Sequence, residues 1–112
     1  MIRFSRLLPV ALLGTALVSV PVFAANIEQG RLKAEQVCAA CHGKDGNTPI
    51  DPSYPRLAGQ YKDFLERALL DYRSDARKNP IMGATAKQLT RDDVRNVAAY
   101  YASLPGGLSV KK

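Results

Sequence analysis

Two cysteines and a histidine stand close together in this 112-residue chain, at Cys38, Cys41 and His42. Their spacing is the C-x-x-C-H pattern by which a polypeptide takes up haem c. Each thiol can add to one vinyl group of the porphyrin to form a thioether, and the adjacent imidazole can reach the iron from one face. The chain contains two cysteines and one histidine in all. The motif therefore uses every thiol and imidazole of the chain, and it predicts one covalently bound haem.

Three other kinds of site share the C-x-x-C spacing. A structural zinc site takes four ligands, usually N or S, and this chain offers three without recruiting a carboxylate. A thioredoxin-like redox site belongs with strand and helix alternation, whereas loop and helix composition follows this motif. A plain disulfide is an ordinary outcome for two cysteines in an exported protein. These alternatives stay open beside covalent haem, which the complete motif favours.

The beginning of the chain has the composition of a secretion signal. A basic start precedes an apolar run over residues 7–20, and small residues at Val22 and Ala24 match a signal peptidase site. We therefore expect a signal peptide over 1–24 and one domain over 25–112. The alternative is an uncleaved anchor, because the apolar stretch approaches the roughly 20 residues that span a bilayer. In bacteria haem is attached outside the inner membrane, so export to the periplasm and the C-x-x-C-H motif support each other.

The composition and apolar spacing of the rest of the chain predict helices and loops. Helical composition or apolar spacing covers about 26–40, 61–73 and 90–104. Turn and breaker residues fill 43–59 and 77–83. A loop as long as the first is uncommon in a compact domain unless it wraps something. The predicted class is all-α, with three to four helices and long loops around one haem.

Two residues of the first predicted helix have particular roles. Asn26, with Gln29 three positions later, resembles a capping box and predicts the helix start. Gly30 costs about 1 kcal/mol relative to alanine inside a helix. We expect it to let another helix cross closely, and a tolerated surface glycine is the alternative.

Met82 is the second candidate iron ligand. Apart from the initiator it is the only methionine, and it stands in a Pro-x-Met-Gly segment. We expect this segment to be a loop, which weakens the usual interpretation of a methionine as core filler. A thioether paired with an imidazole is an axial set of cytochromes c and raises the reduction potential. Met82 is therefore predicted to be the sixth ligand, and an open or weakly ligated position is the alternative.

Four stretches of the sequence resemble a known family. Residues 38–47, 54–60, 80–82 and 97–101 are similar to class I c-type cytochromes of the small bacterial type, most like the domains of cytochromes c4 and c-553. The resemblance covers essentially all of 25–112 and implies the cytochrome c fold, with the N- and C-terminal helices crossing. One departure is that cytochromes c4 carry two such domains.

The resemblance also implies particular contacts. Gly30 would meet the region of Val97 and Tyr100. The carbonyl of Pro55 would accept the Nδ1 proton of His42, which orients the ring and strengthens it as a ligand. The alternative for Pro55 is a plain turn proline. Candidates for binding the haem propionates, chosen only by their nearness to the long loop, are Arg56, Gln60 and Tyr61.

A contact surface for partners is predicted around the haem edge. Its small apolar residues would be Ala39, Ala40, Ile81, Gly83 and Ala84. Basic residues that could surround it are Lys44, Arg77, Lys78 and Lys87. Such charges steer an acidic partner at low salt, and the alternative is that they are solvated and have no such role.

The function that follows is electron transfer and not catalysis. With both axial positions of the iron filled, no small-molecule substrate reaches it, and the sole histidine is unavailable as a base. We expect a periplasmic carrier of one electron between membrane or periplasmic redox proteins of a respiratory chain. Nucleic acid is not an expected partner despite the net charge of +6, because the chain is predicted to be exported. The alternatives are a cytochrome subunit of a periplasmic dehydrogenase, and a haem sensor or peroxidase-like protein.

Overall fold

The computed structural model describes residues 2, 5, 7–19 and 24–106. In this part of the chain the secondary structure is helical and contains no strand. The helices are α1 (Ile27–Val37), α2 (Ala39–His42), α3 (Lys62–Arg73), α4 (Pro80–Lys87) and α5 (Arg91–Ser103). The predicted all-α class is confirmed, and the described residues form five helices, including the single-turn α2, where three to four were expected.

The predicted signal peptide falls partly outside the described residues. Its basic start, Arg3 and Arg6, and the residues 20–23 before the expected cleavage site belong to the part that is not described. Residues 7–19 contain no helix. Among the described residues, no helix is both long enough and apolar enough to cross a membrane.

The first predicted helix begins where expected but is divided. The Asn26 side chain accepts the N–H of Gln29 at 3.0 Å, as an N-cap does. The backbone N–H of Asn26 is bound by the side chain of Asn96 at 2.8 Å instead of by Gln29. The helix ends at Val37, and a separate turn, α2, carries the end of the cysteine-histidine motif. Gly43, with φ 86°, then closes α2.

Helices α1 and α5 cross at Gly30. A Cβ atom placed on Gly30 would overlap the backbone carbonyl of Asn96 and lie 3.0 Å from Cβ of Tyr100. The absence of a side chain therefore lets the two backbones touch, which confirms the predicted crossing and offsets the low helix propensity of glycine. The buried cluster around this crossing consists of Ala34, Cys38, Leu65, Val97, Ala98 and Tyr101.

The long loop between α2 and α3 is folded back on itself and tied to α5. The carbonyl of Gly46 accepts N–H groups from Leu57 at 2.7 Å and Ala58 at 2.9 Å, which folds the loop back on itself. Gly46 has φ 66°, and a Cβ there would lie 2.7 Å from the Tyr101 ring. Gly59 donates its N–H to the carbonyl of Tyr101 at 2.9 Å. The loop is thus held against the C-terminal end of α5.

An aspartate braces the start of this loop. Asp45 accepts the backbone N–H groups of Asn47 at 2.8 Å and Thr48 at 2.9 Å, and also the Thr48 hydroxyl at 2.9 Å. These bonds favour the ionised carboxylate. The N–H of Asn47, followed by the Thr48 hydroxyl, accordingly holds the pKa of Asp45 below its usual range.

The structure corrects the prediction for residues 77–83. This stretch was expected to be a loop, but Pro80 begins α4 and places Met82 in the first turn of a helix. Proline suits the first helical position because its fixed φ is already helical and its missing N–H has no helical partner to lose. The Asn79 side chain caps the turn by accepting the N–H groups of Ile81 and Met82, each at 3.0 Å.

The last helix agrees closely with its prediction. Thr90 and Asp93 form a reciprocal capping box, in which Asp93 N–H donates to the Thr90 hydroxyl at 3.0 Å and Thr90 N–H donates to the Asp93 carboxylate at 2.9 Å. The apolar side of α5 then buries Val94 and Val97. This helix is therefore positioned by a cap at its start and by the core along its length.

Candidate haem site

A cavity of about 560 Å³ is lined by the four residues that were predicted to attach and ligate a haem. Cys38, Cys41 and His42 line it from the motif at the end of α1 and in α2, and Met82 lines it from α4. The volume lies within the roughly 300–1,000 Å³ of ligand sites in proteins. The apolar part of the wall comprises Val37, Leu57, Phe64, Leu65, Ala68, Leu69, Ile81, Val97 and Ala98. Residues distant in sequence therefore meet in one largely apolar pocket.

The two cysteines face this pocket because they are three positions apart around the helical turn. Both thiols are free, with Cys38 buried and Cys41 half-buried. Burial raises the pKa of the Cys38 thiol to about 11, although a hydrogen bond from the Tyr101 hydroxyl acts in the opposite direction. Cys38 therefore lies in the wall of the cavity as a buried residue that also contacts Tyr101.

His42 is buried, and a backbone carbonyl holds its ring. Nδ1 lies 2.9 Å from the carbonyl oxygen of Pro55. When Nδ1 carries the proton it donates to that oxygen, and Nε2 keeps the lone pair that a metal requires. The Tyr54 ring lies beside the imidazole at 6.3 Å between centroids. The loop that contains Pro55 thus fixes both the tautomer and the direction of the imidazole.

The three propionate candidates are placed differently. Arg56 and Gln60 line the cavity, whereas Tyr61 does not and is 74% exposed. The Gln60 side chain accepts the N–H of Tyr61 at 2.9 Å. Tyr61 precedes α3 as its N-cap residue and is not part of the wall of the pocket.

Several polar residues of the wall were not predicted as site residues: Ser53, Tyr54, Tyr72, Asn79, Thr85 and Tyr101. Arg77, which was predicted only as a cation near the haem edge, also lines the cavity. Asn79 had a usable signal, because an asparagine directly before a proline is a frequent way to open a helix. The positions of the other residues in the wall depend on the path of the loop and on how α3, α4 and α5 are rotated toward the cavity. Neither can be predicted from a local sequence pattern.

The predicted contact surface is only partly exposed. Ala40, Ala84 and Ile81 are exposed, the last at 59%, but Gly83 is buried and cannot take part in an exposed patch. Among the basic residues, Lys87 is paired with Asp75 at 2.5 Å. Two further cations, Lys44 and Lys78, are exposed, and Arg77 lies over the Tyr72 ring at 4.9 Å.

The donor set of the cavity fits a c-type haem. Two thiols can form the two thioethers, an imidazole and a thioether supply the N and S axial ligands, and the apolar wall suits a porphyrin. Among the described residues, no group of three or more His, Cys, Asp or Glu side chains comes together as an alternative metal site. The lack of strands in the same residues also departs from the thioredoxin-like pattern.

Comparison with known proteins agrees with this donor set. The family model described as cytochrome c matches residues 27–105. Cytochrome c-554(548) of Halomonas halodenitrificans is 41% identical over 69 residues, which are 59% of this chain and 82% of that protein. Cytochrome c4 of Thiocapsa roseopersicina is 41% identical over 78 residues, 70% of this chain and 40% of that one. The cytochrome subunit of sulfide dehydrogenase of Chlorobaculum tepidum is 34% identical over 67 residues, 60% of this chain and 59% of that one.

A solved structure gives the same result for the fold. Reduced recombinant cytochrome c4 from Pseudomonas stutzeri superposes with a TM-score of 0.68 at 34% identity, over 76% of this chain and 48% of that one. This chain therefore spans about half or less of the length of the cytochromes c4 that it matches. The family model's match over 27–105 includes the cysteine-histidine motif and Met82, and on these grounds the chain belongs to the cytochrome c family.

Proposed function

We propose that this chain is an electron carrier that holds one haem c, attached through Cys38 and Cys41 and ligated by His42 and Met82. The proposal is supported by the observation that these four residues line the same cavity. When bound, the cofactor supplies an iron that gains or loses one electron. What the protein contributes is attachment, ligation and exclusion of water and substrate.

Attachment is the task of the two thiols. Cys38 and Cys41 would each hold the cofactor through a thioether, formed by addition of the thiol S–H across one vinyl group. The three-residue spacing directs both sulfurs to the same side of the turn. Because Cys38 belongs to the buried cluster around the α1–α5 crossing, its thioether would join the cofactor directly to the core.

Ligation is divided between a firmly held imidazole and a thioether. The hydrogen bond from His42 Nδ1 to Pro55 orients Nε2 and raises its basicity as a ligand. Met82 would supply the second ligand to the iron and so keep small molecules from binding there. In this arrangement the chain performs no reaction on a substrate, which is why we propose a carrier and not an enzyme.

Electrons would pass near the exposed residues next to Met82. Ile81 is 59% exposed, and Ala84 on the same helix is exposed too. The cations Lys44 and Lys78 are exposed and would attract an acidic redox partner, with rates that fall as salt rises. The proposed partners are periplasmic or membrane proteins of a respiratory chain.

The proposed location is the periplasm, after removal of residues 1–24. Its support is the apolar run behind a basic start, combined with a motif whose haem is attached outside the inner membrane. Retention of the segment as an anchor would place the same domain at the membrane surface.

A second candidate function is that of a cytochrome subunit in a dehydrogenase. Its support is the likeness to the Chlorobaculum tepidum protein named as such a subunit. Purification of the chain from its native host as a tight 1:1 complex with a flavin or molybdenum protein would favour this function over a free carrier.

The test is the visible and far-red spectrum of the holoprotein, beside Met82→Ala and the control Ile81→Ala. Methionine ligation gives the oxidised protein a weak far-red band, which we expect in the wild type and in Ile81→Ala but not in Met82→Ala. We also expect that the reduced wild type does not bind carbon monoxide at neutral pH. A wild type without the band, which binds carbon monoxide at once, would have an open iron and would favour the sensor or peroxidase-like function.

A further inference from the structure

We infer that Asn79 is the positioning residue that keeps Met82 directed into the cavity. The inference rests on the proposed role of Met82 as an iron ligand and adds the residue that controls how firmly this ligand stays bound. It is drawn from the hydrogen bonds at the start of α4 and from the weak anchoring of that helix.

Helix α4 has few means of holding its own first turn. It is eight residues long, and its buried residues are Gly83 and Ala86, neither of which has a large side chain. Isolated helices shorter than about 12–15 residues are marginal in water. The residues before Met82, at positions 77–81, are exposed. Helix α4 packs against α3, but the exposed residues that lead into its first turn add little buried apolar area to that contact.

Asn79 supplies what packing does not. Its side-chain oxygen accepts the N–H groups of Ile81 and Met82, each at 3.0 Å. Its backbone carbonyl accepts the N–H of Gly83 at 2.7 Å. Since Pro80 has no N–H, this one residue accepts every N–H of the first turn. Asn79 also lines the cavity, so the cap lies at the site itself.

This cap acts on Met82 through its backbone. A methionine side chain has three flexible torsions, so the direction of the thioether depends on where the backbone directs Cβ. The bond from the Met82 N–H to Asn79 fixes that starting point. Without it the first turn can fray, and Met82 moves away from the cavity while the rest of the domain stays folded.

A second brace of α4 lies at its other end. Lys87 in the last turn pairs with Asp75 at 2.5 Å, but both side chains are about half exposed or more, and such pairs contribute little. It holds the end of the helix that is remote from Met82. The control of ligand retention is therefore assigned to Asn79 and not to this pair.

The test measures how readily imidazole replaces Met82 in the oxidised holoprotein. The variants are Asn79→Ala, Asn79→Ser and Asn26→Ala. Serine is an N-cap as good as asparagine, and Asn26 caps α1 in the same way but far from Met82. Because the apparent affinity for imidazole scales with the fraction of chains in which Met82 is released, loss of a typical cap predicts about fivefold tighter binding in Asn79→Ala. We expect wild-type affinity in Asn79→Ser and Asn26→Ala.

A second measurement needs no variant. Amide hydrogen exchange of the wild type should show slowed exchange at Ile81, Met82 and Gly83, whose N–H groups Asn79 accepts. Exchange at the unprotected rate would overturn the inference even if Asn79→Ala yielded no holoprotein.

The outcomes separate the inference from the proposed function. If the wild type has the far-red band but Asn79→Ala binds imidazole no more tightly than Asn26→Ala does, Asn79 is merely a stabilising cap and the inference is wrong. If the wild type lacks the band, Met82 is not a ligand, and both the proposed function and the inference are overturned.

Discussion

The cavity is bounded by two regions that are held in different ways. On the histidine side, Gly30 brings the backbones of α1 and α5 into contact, and Cys38 is part of the buried cluster. On the methionine side, α4 packs against α3, and its two ends are held by the exposed cap of Asn79 and an exposed ion pair. Backbone contact and core burial resist local opening, whereas exposed polar contacts open at low cost. We therefore expect the histidine side to determine whether the domain folds and the methionine side to determine how the iron is ligated.

The largest effect is expected at the helix crossing. In Gly30→Ala the new methyl group would occupy the space of the Asn96 carbonyl, so α1 and α5 must separate. We expect unfolding in urea to show a loss of about 3 kcal/mol or more, or no holoprotein at all.

The matched control for this variant is the buried glycine on the methionine side. A Cβ at Gly83 would lie 3.8 Å from the Tyr72 carbonyl, an ordinary contact. Gly83→Ala should therefore change the free energy of unfolding by less than about 1 kcal/mol. Equal losses in the two variants would contradict the proposed difference between the regions.

A smaller effect is expected from the cap of α5. Thr90→Ala removes the hydroxyl that accepts the Asp93 N–H, and we expect the global free energy of unfolding to fall by about 1 kcal/mol. Thr90→Ser should restore it. Because α5 belongs to the core, imidazole binding should not change; a change in Thr90→Ala comparable to that in Asn79→Ala would show that the two regions are coupled.

Acid should weaken the loop on the histidine side through Asp45. Hydrogen bonds from Asn47 and Thr48 lower the folded pKa of this carboxyl, so its contribution is fully present above the ordinary value of about 3.9. The contribution is lost as pH falls through the lower folded pKa. Unfolding in urea as a function of pH should be less acid-sensitive in Asp45→Asn. Parallel pH curves for the two proteins would contradict this.

The smallest effect is expected from the ion pair at the far end of α4. Lys87→Gln breaks the contact with Asp75, and for an exposed pair we expect less than about 0.5 kcal/mol in thermal unfolding. The difference should shrink further as salt rises. A loss above about 1 kcal/mol would mean that the pair anchors α4 more firmly than its exposure indicates.

The sequence predicted the two regions with unequal success for a physical reason. Asn26 and Thr90 were recognisable because a cap residue preceded a long stretch of helical character. At Asn79 and Pro80 the same residue types begin a helix of eight residues, which has too few positions to show a period. Their composition is typical of a turn, so the sequence predicts a loop at Met82.

The candidate site divides in a similar way. Cys38, Cys41 and His42 were predictable because the C-x-x-C-H spacing is specific for haem attachment. Met82 was predictable because the chain has no other internal methionine. Which loop residues line the cavity depends on how the loop folds back over the core. Proximity in sequence therefore could not separate Gln60, which lines the cavity, from Tyr61, which is exposed.

We propose that one iron is held between His42 and Met82 and transfers one electron at a time. A spectroelectrochemical titration of the wild-type holoprotein beside Met82→Ala tests it most directly. We expect a single one-electron transition in the wild type and a lower potential in the variant, because the thioether favours the reduced iron. Two transitions in the wild type, or an unchanged potential in Met82→Ala, would contradict the account.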